Sequence, residues 1–198
     1  MLTWGEISLI QQEIADRWVH VNERILCLNS GTGKQAFLHA KGGGNTLCLD
    51  HCSRLLKHIT HKKNEENLSL FIQPVQAEIN NISTLFHENS FDIIIASLLM
   101  GKLQEAEQIK LLKDCWNILK PDGTFIIVEK FAPHNRITKY CMNIIEAPIK
   151  LLVFMFTGFM IKPINTLDSF LKNAQFEIYE KRDFFFTTLK IIFSQKKQ

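Results

Sequence analysis

Residues 26–37 read LCLNSGTGKQAF. A short apolar run stops at Asn29 and Ser30, passes through Gly31, Thr32 and Gly33, and resumes as a helix-like segment. An apolar run of this length bounded by turn residues predicts a buried strand, and glycines after it let the backbone turn tightly and approach a neighbour closely. Two readings stand side by side. The turn either cradles a ligand, with amides at the start of the next helix facing it, or is an ordinary tight strand-to-helix connection.

Working outward, Thr3 with Glu6 is a capping-box pair, and Ile7, Ile10, Ile14 and Trp18 recur at helical spacing, which predicts an amphipathic helix within residues 1–22. After the turn come a helix over 33–40, the loop KGGG and a second strand over 46–49 closed by Asp50, together one βαβ unit. Residues 53–59 predict a helix, THKKNEEN a solvated loop, and residues 68–72 and 91–96 two further buried strands. A helix over 105–119 carries Ile109, Leu112, Trp116 and Leu119 on one face, KPDG breaks it, and 124–129 is again a strand. An apolar insertion with Pro133, Pro148 and Pro163 fills 132–165. A helix over 167–173 and two strands over 176–183 and 187–193 follow, joined by a short turn. Alternating β and α ending in a hairpin predicts an α/β, doubly wound, mostly parallel seven-stranded Rossmann-like sheet with a C-terminal antiparallel hairpin strand.

At 198 residues one domain is expected over 1–198, with an N-terminal helix (1–22), a core (24–130), the insertion (132–165) and a closing helix and hairpin (166–198). The 23 basic and 20 acidic residues leave a net charge of +3 without basic blocks, so no nucleic-acid footprint is expected. Five cysteines, without a repeated CxxC pair, fit reduced thiols, and the start MLTWGEISLIQQEI does not read as a secretory signal. A cytoplasmic protein is the expectation. Residues 151–161 are the longest apolar stretch, half of what crosses a bilayer, with Lys139, Lys150 and Lys162 outside it. That pattern fits either a core helix or a lid that also rests on a membrane surface, its lysines reaching head groups.

In a doubly wound sheet the ligand crevice lies outside the carboxyl ends of the strands, where strand order reverses. Asp50 ends the second strand about 20 residues after the turn, where ribose hydroxyls are read in such folds, and it is equally a helix-cap residue. Cys48, His51, Cys52, His58 and His61 crowd one region, but no second CxxC or HxxxH pair completes a tetrahedral set, so no metal is expected. No nucleophile or triad can be assigned from spacing.

The order of these segments resembles the class I S-adenosylmethionine-dependent methyltransferases. ILCLNSGTG stands for their first turn, LCLDHCSRLL for the strand-terminal acid and its helix, VQAEI for the adenine-side loop, SFDIIIASLL for strand four, and LLKDCWNILKPDGTFIIVEK for the next helix and strand five. FLKNAQFEIYEKRDF resembles the last helix and strand six, and NILKPDG is the most specific match. The resemblance implies S-adenosylmethionine bound across Asn29, Ser30, Gly31, Gly33, Asp50, His51, Gln76, Ala77, Glu78 and Ser97. Departures stand at Cys27, where the family has an acid that often partners the methionine end, at Asn29 in place of its first glycine, and at Gln76 where Asp is common. Asn tolerates the left-handed conformation such a turn needs, and Gln can still accept from an adenine amino group.

The insertion lies where the family shapes its substrate pocket, and its E…P…GF run is loosely similar to phospholipid N-methyltransferases and quinone methyltransferases. The expected acceptor is a hydrophobic small molecule or lipid. A degenerate, non-catalytic binding module is the alternative, and a nicotinamide oxidoreductase a weaker one, since Ala36 stands where a final glycine would be. Sequence names neither the catalytic residue nor the oligomeric state.

Overall fold

Seven strands form one sheet in the order β3-β2-β1-β4-β5-β7-β6. In the computed structural model, which describes residues 2–131, 167–184 and 189–197, the strands are β1 (Arg24–Leu28), β2 (Asn45–Asp50), β3 (Ile72–Gln76), β4 (Phe91–Ser97), β5 (Leu119–Lys130), β6 (Phe176–Phe184) and β7 (Leu189–Lys196). Among the described residues the α-helices are α1 (Leu2–Trp18), α2 (Lys34–Lys41), α3 (Ser53–Glu65), α4 (Ile82–Leu85), α5 (Glu105–Ile118) and α6 (Leu167–Asn173). The insertion at 132–165 lies outside the described residues.

β1 pairs in parallel with both β2 and β4, β2 with β3, and β4 with β5, while β7 runs antiparallel to both β5 and β6. From β1 the chain winds outward to β3, then returns to β1's other side to lay down β4. The strand order therefore reverses between β1 and β4, and a crevice opens there at the carboxyl ends.

Both faces of the central strands are apolar, as parallel strands covered on two sides require. Leu26, Leu28, Ile94, Ala96, Phe125 and Ile127 face α5 and α6, whereas Ile25, Cys27, Ile93, Ile95, Ile126 and Val128 alternate with them and face α1. Ile10 and Ile14 of α1 are fully buried there, each stabilising the fold by about 1.5–3 kcal/mol, with Trp18 stacked on Phe193 at 5.0 Å. α2 and α3 cover the same face further out, through Phe37, Ala40, Leu56 and Ile59.

Four local expectations are corrected. α3 continues through THKKNE to Glu65, because Lys and Glu favour helix and Ile59 still buries while His61–Glu65 (3.3 Å) and Lys62–Glu66 (3.6 Å) pair along its exposed side. The chain after it is used for turning: Leu68 N–H donates to Lys63 O at 2.8 Å and Ile72 N–H to Leu68 O at 3.1 Å, so β3 starts at Ile72 rather than at 68. Its Pro74 is tolerated because β3 is an edge strand. In α5 the buried stripe is Gln108, Leu111, Leu112, Cys115 and Ile118, and Ile109 is exposed. Finally, α1 begins at Leu2, so Thr3 lies inside the helix and is not its cap. KPDG does end α5, but it is folded into β5 as a bulge, with Asp122 at φ 60° and the register shifting between Phe91 and Ile93.

Candidate active site

The turn after β1 takes three left-handed residues: Asn29 (φ 54°), Gly31 (57°) and Gly33 (76°). Each glycine has its own reason. A Cβ on Gly33 would stand 2.7 Å from Ile59 Cγ1, so only glycine lets α2 begin against α3. A Cβ on Gly31 would meet nothing within 4 Å among the described residues, which leave the backbone there uncovered. Asn29 adopts the left-handed conformation that asparagine tolerates, and its side chain ties β1 to β4 by donating from Nδ2 to the Ser97 carbonyl at 3.2 Å.

Asp50, at the end of β2, is 2 % exposed and turns its carboxylate toward this loop. Oδ2 accepts from Gly31 N–H at 2.9 Å and Oδ1 from Cys52 N–H at 3.0 Å. A carboxylate has about four acceptor positions, so about two remain. The first cap of α3 is Cys52, not Asp50, and Asp50 supports the helix start only through this bond. Exposed His51 places Nδ1 3.6 Å from Oδ1. Ser30 N–H donates to Leu49 O at 3.2 Å, Ala77 N–H to Asp50 O at 3.2 Å, and Gln76 Nε2 to His51 O at 3.3 Å, which leaves the Gln76 side-chain oxygen outside that bond. Nine of the ten residues singled out from sequence are thus joined at one rim. Glu78, one residue past Ala77, is exposed and opens the short turn at Ile79–Asn81.

Cys27 does not reach the rim. It is buried against α1, and burial pushes its thiol well above the ordinary range, so it carries no charge in place of an acid. Behind it lies fully buried His39, Nδ1 4.0 Å from Cys27 Sγ and Nε2 beside the Gln35 amide, which also donates to Gln11 O at 3.1 Å. Burial lowers His39 to about 3, so the ring is neutral.

Three residues at the other side of the rim escaped the sequence reading. Leu98, after β4, has φ 49°, a strained value for a branched side chain, held by its N–H bond to Val128 O at 2.8 Å. The turn Met100–Lys102 follows. Glu129, 1 % exposed at the end of β5, accepts from Gly101 N–H at 3.3 Å and Lys130 N–H at 3.1 Å, and burial raises its carboxyl above the usual range. From that turn Lys102 Nζ donates to Asn29 Oδ1 at 3.4 Å. Glu129 ends a strand as Asp50 does, and that position was a readable signal; Lys102 had none.

The cradle fits a nucleoside cofactor carrying a methionyl group. Among the described residues nothing covers the Gly31 surface, the Asp50 carboxylate keeps acceptor capacity, and the buried Ser30 hydroxyl has no partner. A parallel sheet with one antiparallel strand and a glycine turn facing a strand-end acid defines the class I, Rossmann-like methyltransferases. The chain belongs to that family: the Methyltransferase domain family matches residues 26–127. The cofactor of this class is S-adenosylmethionine.

Among curated proteins the chain is 28% identical over 127 residues to the phosphoethanolamine N-methyltransferase of Plasmodium falciparum, covering 63% of this chain and 46% of that protein. It is 31% identical over 124 residues to the demethylmenaquinone methyltransferase of Lactobacillus johnsonii, covering 61% and 49%. The match thus spans about half the length of each relative. Among solved structures, a SAM-dependent methyltransferase from Methanosarcina mazei aligns with a TM-score of 0.74 at 18% identity over 93% of this chain and 97% of that one. The [4+2]-cyclase SpnF aligns at 0.76 and 15% identity over 96% and 81%. At these identities the likeness is one of fold.

Proposed function

We propose that this chain transfers a methyl group from S-adenosylmethionine to a hydrophobic small-molecule or lipid-like acceptor. The observation that carries the reading is the Asp50 carboxylate bridging to Gly31 N–H beside an open backbone surface. The two remaining acceptor positions of Asp50 suit the two ribose hydroxyls, and the side-chain oxygen of Gln76 suits the adenine amino group. Ser30 and the bare Gly31 backbone border the nucleoside, with His51, Ala77 and Glu78 along its outer edge. Asn29 and Ser97 hold the β1–β4 crevice in which the methionyl group would lie.

The cofactor supplies an already activated methyl on its sulfonium, so the protein's task is to align an acceptor and exclude water. Glu129 is not placed as a base, because its oxygens face backbone N–H groups. The acceptor class rests on the two relatives, one named for phosphoethanolamine and one for demethylmenaquinone, and on the apolar run at 151–161. A cytoplasmic enzyme touching a membrane surface through that run, without a nucleic-acid partner, completes the proposal.

The test incubates the purified chain with methyl-labelled S-adenosylmethionine and, separately, phosphoethanolamine, a demethylated menaquinone and vesicles containing phosphatidylethanolamine. Label moving into the quinone or lipid supports the proposal. Binding of the cofactor without transfer to any of the three favours the non-catalytic module, which the neutral thiol at Cys27 also favours.

A further inference from the structure

On the reading just given, the methionyl end must be gripped at the crevice between β1 and β4, and the grip here has the opposite charge from the one the family resemblance implies. We propose that Lys102 binds the carboxylate of the methionyl group, in place of an acid at position 27 binding its ammonium.

Cys27 is 3 % exposed and packs toward α1 with Ile10 and Ile14, away from the crevice. Among the described residues, two carboxylates border the crevice and both face backbone N–H groups: Asp50 those of Gly31 and Cys52 on the ribose side, and Glu129 those of Gly101 and Lys130 beneath the rim, where it also feels the Lys102 charge. A cation stands there instead. Lys102 is exposed, and of the three donors of its ammonium one reaches Asn29 Oδ1 at the long distance of 3.4 Å, a contact that an anion can share or replace.

Its placement is built. Glu129 holds Gly101 N–H, and Gln108, itself nearly buried, donates from Nε2 to Met100 O at 2.9 Å and to Leu103 O at 3.1 Å, so both ends of the lysine's turn are pinned from below. Asn29 then relays the position of the ammonium to the end of β4 through its bond to Ser97 O. An exposed surface lysine without such support would lose side-chain entropy on binding and gain little.

The test is calorimetric titration of the full chain with three probes: S-adenosylmethionine, its decarboxylated analogue, and 5′-methylthioadenosine, which lacks the methionyl end. A charge-assisted bond to the carboxylate makes the wild-type chain prefer S-adenosylmethionine over the decarboxylated analogue by about tenfold or more. Lys102→Met brings that ratio close to one while leaving 5′-methylthioadenosine affinity within about twofold, and Lys102→Arg restores the preference. Equal affinity of the wild-type chain for the two sulfonium probes, or a preference unchanged in Lys102→Met, overturns the inference and leaves the cofactor reading standing. Failure of all three probes to bind overturns both.

Discussion

On the β1–β2 side of the rim the bonds close over short stretches of chain: Gly31 meets Asp50 across 19 residues, and Cys52 meets it across 2. On the β4–β5 side they span the domain, with Asn29 reaching Ser97 across 68 residues and Lys102 reaching Asn29 across 73. The first side is a local motif, because one βαβ unit fixes the offset between its turn and its strand-end acid. The second exists only once β4 has been laid beside β1. Binding of the nucleoside belongs to the first side and treatment of the methionyl end to the second, so the two functions can be perturbed separately.

The sharpest way to break the motif side is Gly33→Ala. Left-handed geometry costs an alanine about 1–2 kcal/mol, and displacing Ile59 from a contact of 2.7 Å adds a comparable amount. Urea denaturation should show a loss of about 3 kcal/mol, and a loss under about 1 kcal/mol would mean that α3 yields easily.

Next in size is an acid sensitivity seated behind the same turn. Burial holds His39 at about 3, below its value of 6.5 in the unfolded chain, so the unfolded state alone takes up a proton in between. The stability this neutral ring contributes is complete above pH 6.5 and is lost as pH falls toward about 3, at about 1.4 kcal/mol per pH unit. Denaturation curves from about pH 7.5 to about pH 5 should show about 2 kcal/mol more loss in the wild-type chain than in His39→Gln. Equal slopes would place a charged ring in the core.

On the assembled side, Glu129→Gln should cost about 1 kcal/mol: the amide loses one acceptor facing Gly101 or Lys130, partly offset by relief of a buried charge. It should also weaken the preference for the carboxylated cofactor while sparing 5′-methylthioadenosine. The smallest effect is expected where the two sides meet. In Asn29→Gly, release of the left-handed strain offsets the lost bond to Ser97, so stability should stay within about 0.5 kcal/mol and nucleoside affinity should hold. A large loss of nucleoside affinity would make the Asn29 side chain a ligand of the nucleoside itself.

The same contrast explains what could be read from the chain before its structure. The succession of strands and helices along the chain, the hairpin and the closing helix at Leu167–Asn173 follow from apolar runs and breakers, because each is a local pattern. The turn and Asp50 were legible for the same reason, and the loop at Gln76 through the family resemblance. Ile109 was assigned to the buried side of α5 because it fits helical spacing with Leu112 and Trp116 as well as Gln108 and Leu111 do, and only packing against the sheet shows that the buried stripe, which keeps Leu112, runs through Gln108 and Leu111 and leaves Ile109 exposed. A polar tail hid the end of α3, since Lys and Glu sustain a helix without burying anything. Lys102 was illegible because nothing near it in sequence marks it; its meaning comes from Asn29, Glu129 and Gln108.

Whether the rim between Gly31 and Asp50 holds S-adenosylmethionine is decided by equilibrium dialysis of labelled cofactor against the wild-type chain and Asp50→Ala. The wild type should show saturable micromolar binding, weakened about tenfold or more in Asp50→Ala, through loss of charge-assisted bonds to the ribose. A folded wild-type chain that retains no cofactor at about 1 mM, or an Asp50→Ala chain that retains it as tightly as the wild type, would contradict the claim.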